Sequence, residues 1–106
     1  MKKAIVKIHN KRAGILTEHQ DDRYIFQYDQ GYKDDPVSLT MPVRNEPYEF
    51  ETFPPFFDGL LPEGIQLEGL LKKYKIDRND YFKQLVVSGG DLVGAVTVEE
   101  IVNQDE

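Results

Sequence analysis

The strongest constraint in this chain is a change of apolar period partway along it. In the first 28 residues the apolar side chains alternate, and past Phe53 they recur at helical spacing. Ala4, Val6 and Ile8 alternate with Lys3, Ile5 and Lys7, the period of a strand with one buried face and one partly wet face. Asn10 to Gly14 carries the polar residues and glycine of a hairpin connection, so "GILTEH" is expected to form a second short strand and "DD" another turn. "RYIFQY", residues 23–28, reads as a third strand with Tyr24, Phe26 and Tyr28 on one face. Together these segments predict an antiparallel meander.

"DQGYKDDP" supplies dense turn chemistry, and "VSLTMP" is expected to be a short extended segment whose Pro42 places it at an edge or a strand end. Arg44 to Thr52 reads as polar and irregular. A short proline-stopped helix is expected from Phe53 to Leu61, and a second helix follows Gly64. In that helix Leu67, Leu70, Leu71 and Tyr74 fall at i, i+3, i+4 and i+7, with Lys72, Lys73 and Lys75 near the C-terminal end. "DRNDYFKQLVVSGG" predicts a further helix capped by Asp77 or Asn79, with Tyr81, Phe82, Leu85 and Val86 inward and Gly89 as the stop. "LVGAVTV" predicts a closing strand, and "NQDE" a frayed tail from about residue 100. The expected fold class is α+β: a small, mostly antiparallel sheet with two to three helices packed on it.

The chain has 106 residues, 40% of them hydrophobic, which is enough for a single domain with one modest core. The net charge of −6 provides no electrostatic footprint for phosphate backbones or anionic lipids, so neither direct nucleic-acid nor membrane contact is expected. With no cysteine, a disulfide framework, a thiolate metal site and a cysteine nucleophile are excluded, and a cytoplasmic setting is expected. "MKKAIVKIHNKRAG" starts like a signal peptide, but Lys7 interrupts its apolar run and no small-residue cleavage site follows. No run approaches the roughly 18 apolar residues of a membrane span.

Three motifs invite catalytic or ligand-binding readings. His9 and His19 lie at or near strand ends without a partner at metal-ligand spacing, which favours turn or surface histidines and no metal. Asp58 and Glu63 could form an acid/base pair, but glycine and proline surround them and the chain holds 19 acidic residues, which favours capping and solvation. "SGGDLVGA" is glycine-rich, yet its glycines follow a helix and precede a strand, the reverse of a phosphate loop, and a helix stop with a turn at Gly90 or Asp91 is expected. No catalytic residue, metal or cofactor is therefore nominated.

"FPPFFDGLLPEGIQLEGLL" is different. On a helix advancing about 100° per residue, Ile65 lies nearly opposite the stripe of Leu67, Leu70, Leu71 and Tyr74 and should point away from the core. Phe56, Phe57, Leu60 and Leu61 are also too many for one narrow stripe. Either a neighbouring loop covers them or they form an interaction patch, and an apolar patch on an acidic module points to a protein partner.

"FFDGLLPEG", "GGDLVGAVTV", the hairpin "VKIHNKRAGILT" and "PVSLTMP", in this order, resemble the N-terminal subdomain of HipA-type serine/threonine kinases, the toxins of bacterial toxin–antitoxin modules. The resemblance runs from about Ile5 to Val98. A kinase of this type continues into a catalytic core, whereas no strand-borne kinase lysine, H-R-D or D-F-G equivalent occurs here, so the chain is not expected to be an enzyme. The resemblance extends to the small HipS-type antitoxins of tripartite HipBST systems. It implies binding to a HipT-like serine/threonine kinase toxin that lacks this subdomain, with a HipB-like helix-turn-helix DNA-binding protein in the same complex. The residues expected to meet the partner are Phe56, Phe57, Leu60, Leu61, Pro62, Glu63, Gly64 and Ile65. The alternative is a docking or stabilising subdomain that does not inhibit.

Overall fold

His9 and Asn10 both adopt left-handed backbone, with φ of 51° and 66°, which is what a two-residue hairpin turn requires. In the computed structural model, which describes residues 1–91 and 95–101, this turn joins strand β1 (Lys2–Ile8) to β2 (Lys11–Glu18). The hairpin connection is thus shorter than the expected Asn10 to Gly14, and Gly14 lies inside a strand. Its glycine is required there by close approach: a Cβ would strike the Gln27 carbonyl and the Phe26 ring of the next strand. The register shifts between Val6 and Lys7, leaving Ala13 as a bulge whose carbonyl accepts the Asp29 N–H at 2.8 Å.

Strands β3 (Tyr24–Tyr28), β4 (Tyr48–Phe50) and β5 (Val96–Ile101) complete a five-stranded sheet of order β4-β3-β2-β1-β5, antiparallel at every pairing. The alternation of the sequence translates directly into one buried face. Ala4, Val6, Ile8, Leu16, Tyr24, Phe26, Tyr28, Val96 and Val98 are all buried, and each large side chain contributes about 1.5–3 kcal/mol. Ile5, Ile15 and Ile25 lie half-buried on the other face.

β4 falls in the stretch expected to be irregular. Its Tyr48 and Phe50 pack against the core, and the Tyr48 hydroxyl donates to the Pro42 carbonyl at 2.5 Å. The Arg44 guanidinium lies 3.6 Å from the Tyr48 ring centroid and donates to the Glu46 and Pro47 carbonyls. The expected extended segment "VSLTMP" is instead a tight turn, because the Met41 N–H returns to the Ser38 carbonyl and the Ser38 hydroxyl accepts the Thr40 N–H.

Among the described residues three helices accompany the sheet, and two of them cover its buried face. Helix α1 spans only Pro55–Asp58, shorter than the predicted Phe53 to Leu61, since Pro54 and Pro55 start it and Gly59 ends it. Tighter i→i+3 bonds carry the chain on to Leu60 and Leu61. Helix α2 is Gly64–Tyr74, and helix α3 is Tyr81–Ser88, followed by a 3₁₀ turn, Gly89–Asp91. The cap of α3 is Asp80, accepting the Lys83 N–H at 3.2 Å, because a turn from Asp77 to Asp80 moves the start past both predicted caps. Phe82 and Leu85 point inward as predicted and Val86 is half-buried, but Tyr81 is exposed against the ring of Phe53. Gly89 does end α3, with right-handed backbone. A Cβ there would strike the Val98 carbonyl, so it is again close approach that requires glycine.

The main departure is α2. Its stripe of Leu67, Leu70 and Leu71 is only half-buried, Tyr74 is exposed, and no residue of the helix is buried. Phe57 of α1 and Phe82 and Leu85 of α3 already fill the space over the sheet, which leaves α2 at the periphery. Its C-terminus is nonetheless well anchored. Lys75 turns left-handed at φ 56°, the Ile76 N–H reaches back to the Leu71 carbonyl at 3.0 Å, and Ile76 is buried. The predicted closing strand is β5, beginning at Val96; its expected first residues, 92–94, and the tail "NQDE" lie outside the described residues.

Candidate functional site

Between α1 and α2 the chain moves from core to solvent within a few residues. Phe57 is 0% exposed, with its ring 5.9 Å from that of Phe26, so it belongs to the core and presents nothing to a partner. Phe56 stacks edge-on against Phe57 at 5.2 Å and is half-buried, as are Leu60, Leu61 and Pro62. Leu60 and Leu61 also pack on the core, which anchors the segment and leaves an apolar rim facing outward.

Beyond that rim the backbone turns sharply. Glu63 is extended (φ −132°, ψ 164°), and Gly64 follows at φ +60°, in the left-handed region where a side chain would be strained. α2 starts at this hinge, so its second residue, Ile65, projects away from the body and is 90% exposed. Helical arithmetic anticipated that orientation. Glu63, Gly64 and Ile65 therefore form an exposed tip on a partly apolar base. An aliphatic side chain with nearly its full surface in water gains free energy from any pocket that receives it.

The sequence reading missed a second exposed apolar residue, Leu39, which is 95% exposed at the tip of the Ser38–Met41 turn. Val37 and Met41 on either side are buried, so the tip is held firmly. An apolar residue flanked by serine and threonine between two prolines was the available signal.

Elsewhere the described residues offer little chemistry. Asp58 and Glu63 are both exposed, and the Glu63 side chain makes no cap hydrogen bond to α2, so among the described residues nothing sets them apart as an acid/base pair. His9 sits in the β1–β2 turn and His19 just after β2, and among the described residues no group of three or more His, Cys, Asp or Glu could hold a metal ion. One open cleft of about 580 Å³ is lined mainly by acidic and aromatic residues, including Glu18, Tyr24, Phe53 and Asp80. In it the Tyr24 hydroxyl donates to Glu18 at 2.8 Å. Among the described residues no helix is long and apolar enough to cross a membrane.

Comparison with known proteins assigns a context to this geometry. Residues 4–99 match the model of the family described as HipA N-terminal domain. A Haemophilus influenzae protein is 32% identical over 96 residues, covering 90% of this chain and 89% of that protein. "Putative kinase Y4dM" of Sinorhizobium fredii is 33% identical over 116 residues, covering 94% of this chain but only 27% of its own length. Among solved structures, the "N-terminal domain of HipA toxin" superimposes with a TM-score of 0.77 at 28% identity, covering 98% of this chain and 96% of that one.

Proposed function

This chain belongs to the HipA N-terminal domain family, and on that premise we propose that it is a non-catalytic, HipS-like antitoxin, binding a HipT-like serine/threonine kinase toxin in trans and neutralising it. The observation that carries the reading is Ile65, 90% exposed beyond a left-handed glycine and opposite the half-buried leucine stripe of α2. In this reading the tip Glu63–Gly64–Ile65 enters or abuts the nucleotide cleft of the kinase and opposes ATP binding or closure. Phe56, Leu60, Leu61 and Pro62 form the surrounding rim, and Phe57 supports them from the core. A HipB-like DNA-binding protein joins the same cytoplasmic complex.

The two relatives support a module that works across chains. The Haemophilus protein is spanned almost end to end by this chain, whereas in Y4dM the same unit is about a quarter of a much longer protein. In this reading, the surface that would serve within one chain in the second case docks between chains in the first. Y4dM also favours a second reading, a subdomain that docks on a kinase and stabilises it without inhibition.

A phosphorylation assay of the HipT-like kinase from the genome that carries this chain, with and without the protein, separates the two. Inhibition supports the antitoxin, and unchanged activity with binding supports the stabilising subdomain. Ile65→Asp is expected to weaken binding by about 2 kcal/mol or more, roughly thirtyfold, and to release the kinase. Full neutralisation by that variant would overturn the proposed role of the tip.

A further inference from the structure

We propose that the outer face of α2, from Ile65 across Gly69 to Lys72 and Lys73, is itself a docking surface, on which a carboxylate-bearing segment of the partner kinase lies close against the helix backbone. The proposal rests on the kinase-binding reading and extends the contact from the tip along one side of the helix.

Ile65, Gly69 and Lys72 are spaced i, i+4 and i+7, so they share a face, and that face is opposite the half-buried leucines. Glycine is a poor helix former and is costly in mid-helix unless something requires it. Nothing among the described residues does so. The backbone of Gly69 is not in the left-handed region, and a Cβ built on it meets no atom within 4 Å. That contrasts with Gly14 and Gly89, where a Cβ collides with a neighbouring strand, and with Gly64, where φ is positive. A glycine that neither conformation nor internal packing requires leaves a bare saddle between Ile65 and Lys72, open to the surface of another molecule.

Charge identifies what fills it. The chain as a whole is acidic, at −6, yet this face is basic. Lys72 and Lys73 lie within ion-pair distance of no carboxylate among the described residues, and the Lys73 ammonium sits only 5.3 Å from the Tyr74 ring. Glu68, the one carboxylate flanking the saddle, is already taken by the Arg78 guanidinium at 2.7 and 2.9 Å. The complementary surface is therefore acidic and flat enough to approach a glycine.

The test measures binding of the full chain to the same HipT-like kinase. Gly69→Ala is expected to raise the melting temperature by roughly 3–8 °C, because alanine favours the helix, and to weaken binding by roughly tenfold through the methyl group in the saddle. Lys72→Glu with Lys73→Glu should weaken binding by about tenfold at low ionic strength, and the loss should shrink as salt is added. If the wild-type chain fails to bind the kinase, the functional reading falls and this one falls with it. If the wild type binds and Ile65→Asp does not, but Gly69→Ala and the double lysine variant bind like wild type, the outer face is not part of the interface and the proposal alone is overturned. A double lysine variant that keeps the kinase but loses affinity for DNA or for anionic vesicles would overturn it too.

Discussion

The hydroxyl of Tyr28 donates a hydrogen bond to the carbonyl of Met41 at 2.5 Å. The same oxygen accepts the Val37 N–H at 3.0 Å, so one phenol on the central sheet closes both ends of the turn that presents Leu39. The ring itself is stacked against Tyr32 at 5.6 Å and edge-on to Phe26 at 4.9 Å. A turn with an apolar tip in water is thereby fastened to a buried residue of β3.

Tyr28→Phe keeps the ring packing and removes only the clamp. With Val37 and Met41 both buried, an N–H and a carbonyl lose their partner, and the expected destabilisation is about 1–3 kcal/mol by urea titration. Faster amide exchange at Val37 should accompany it.

Stability should fall at alkaline pH. Burial first, then the hydrogen bond to Glu18 and its charge, raise the Tyr24 phenol above its ordinary value near 10, and burial raises Tyr28 as well, partly offset by the Val37 N–H. Above about pH 10 the unfolded chain releases protons that the folded one retains, so this stabilisation is complete below pH 10 and is lost as pH rises towards the folded values. Denaturation midpoints measured across that range should decline, and Tyr24→Phe should make the decline shallower.

Gln84 is 2% exposed, and its amide nitrogen donates to the carbonyls of Asp77 at 3.2 Å and Arg78 at 2.9 Å. Gln84→Leu fills similar space but leaves both carbonyls without that donor. The expected loss is about 1–3 kcal/mol in a chemical melt, with α3 still formed by circular dichroism.

Gly89→Ala would drive a methyl group into the Val98 carbonyl of β5. The neighbour is backbone and cannot rotate aside, so a loss of about 1–3 kcal/mol or more is expected. Thermal unfolding of this variant beside Gly69→Ala should move the two melting temperatures in opposite directions.

These residues also mark how far the sequence could be read. The first three strands and their buried face were legible because Ala4, Val6, Ile8, Tyr24, Phe26 and Tyr28 repeat a strict two-residue period. β4 was not, because its Tyr48 and Phe50 give a single alternation among charges and prolines, and its pairing with β3 depends on tertiary packing. The stripe of α2 announced a helix and the direction of Ile65, but periodicity locates the apolar side of a helix without saying how much of it is covered. Phe57 and Phe56 are adjacent and chemically identical, and only packing separates core from rim. Gln84 gave no signal, since a buried amide is defined by the two carbonyls it finds. The glycines were visible in the sequence, whereas the distinct reasons for Gly14, Gly64, Gly69 and Gly89 required neighbouring atoms.

The place of β1 between β2 and β5 has a consequence for how the molecule comes into being. Val6 and Ile8 have the hairpin partner at hand almost as soon as they leave the ribosome, but they meet Val98 and Val96 only after nearly all of the described chain has been synthesised. Until then the inner flank of the first strand is open, and pairings so distant in sequence form slowly. The sheet is sealed last at its oldest strand, so a nascent chain holds the apolar surface of a finished protein before it has the means to cover it.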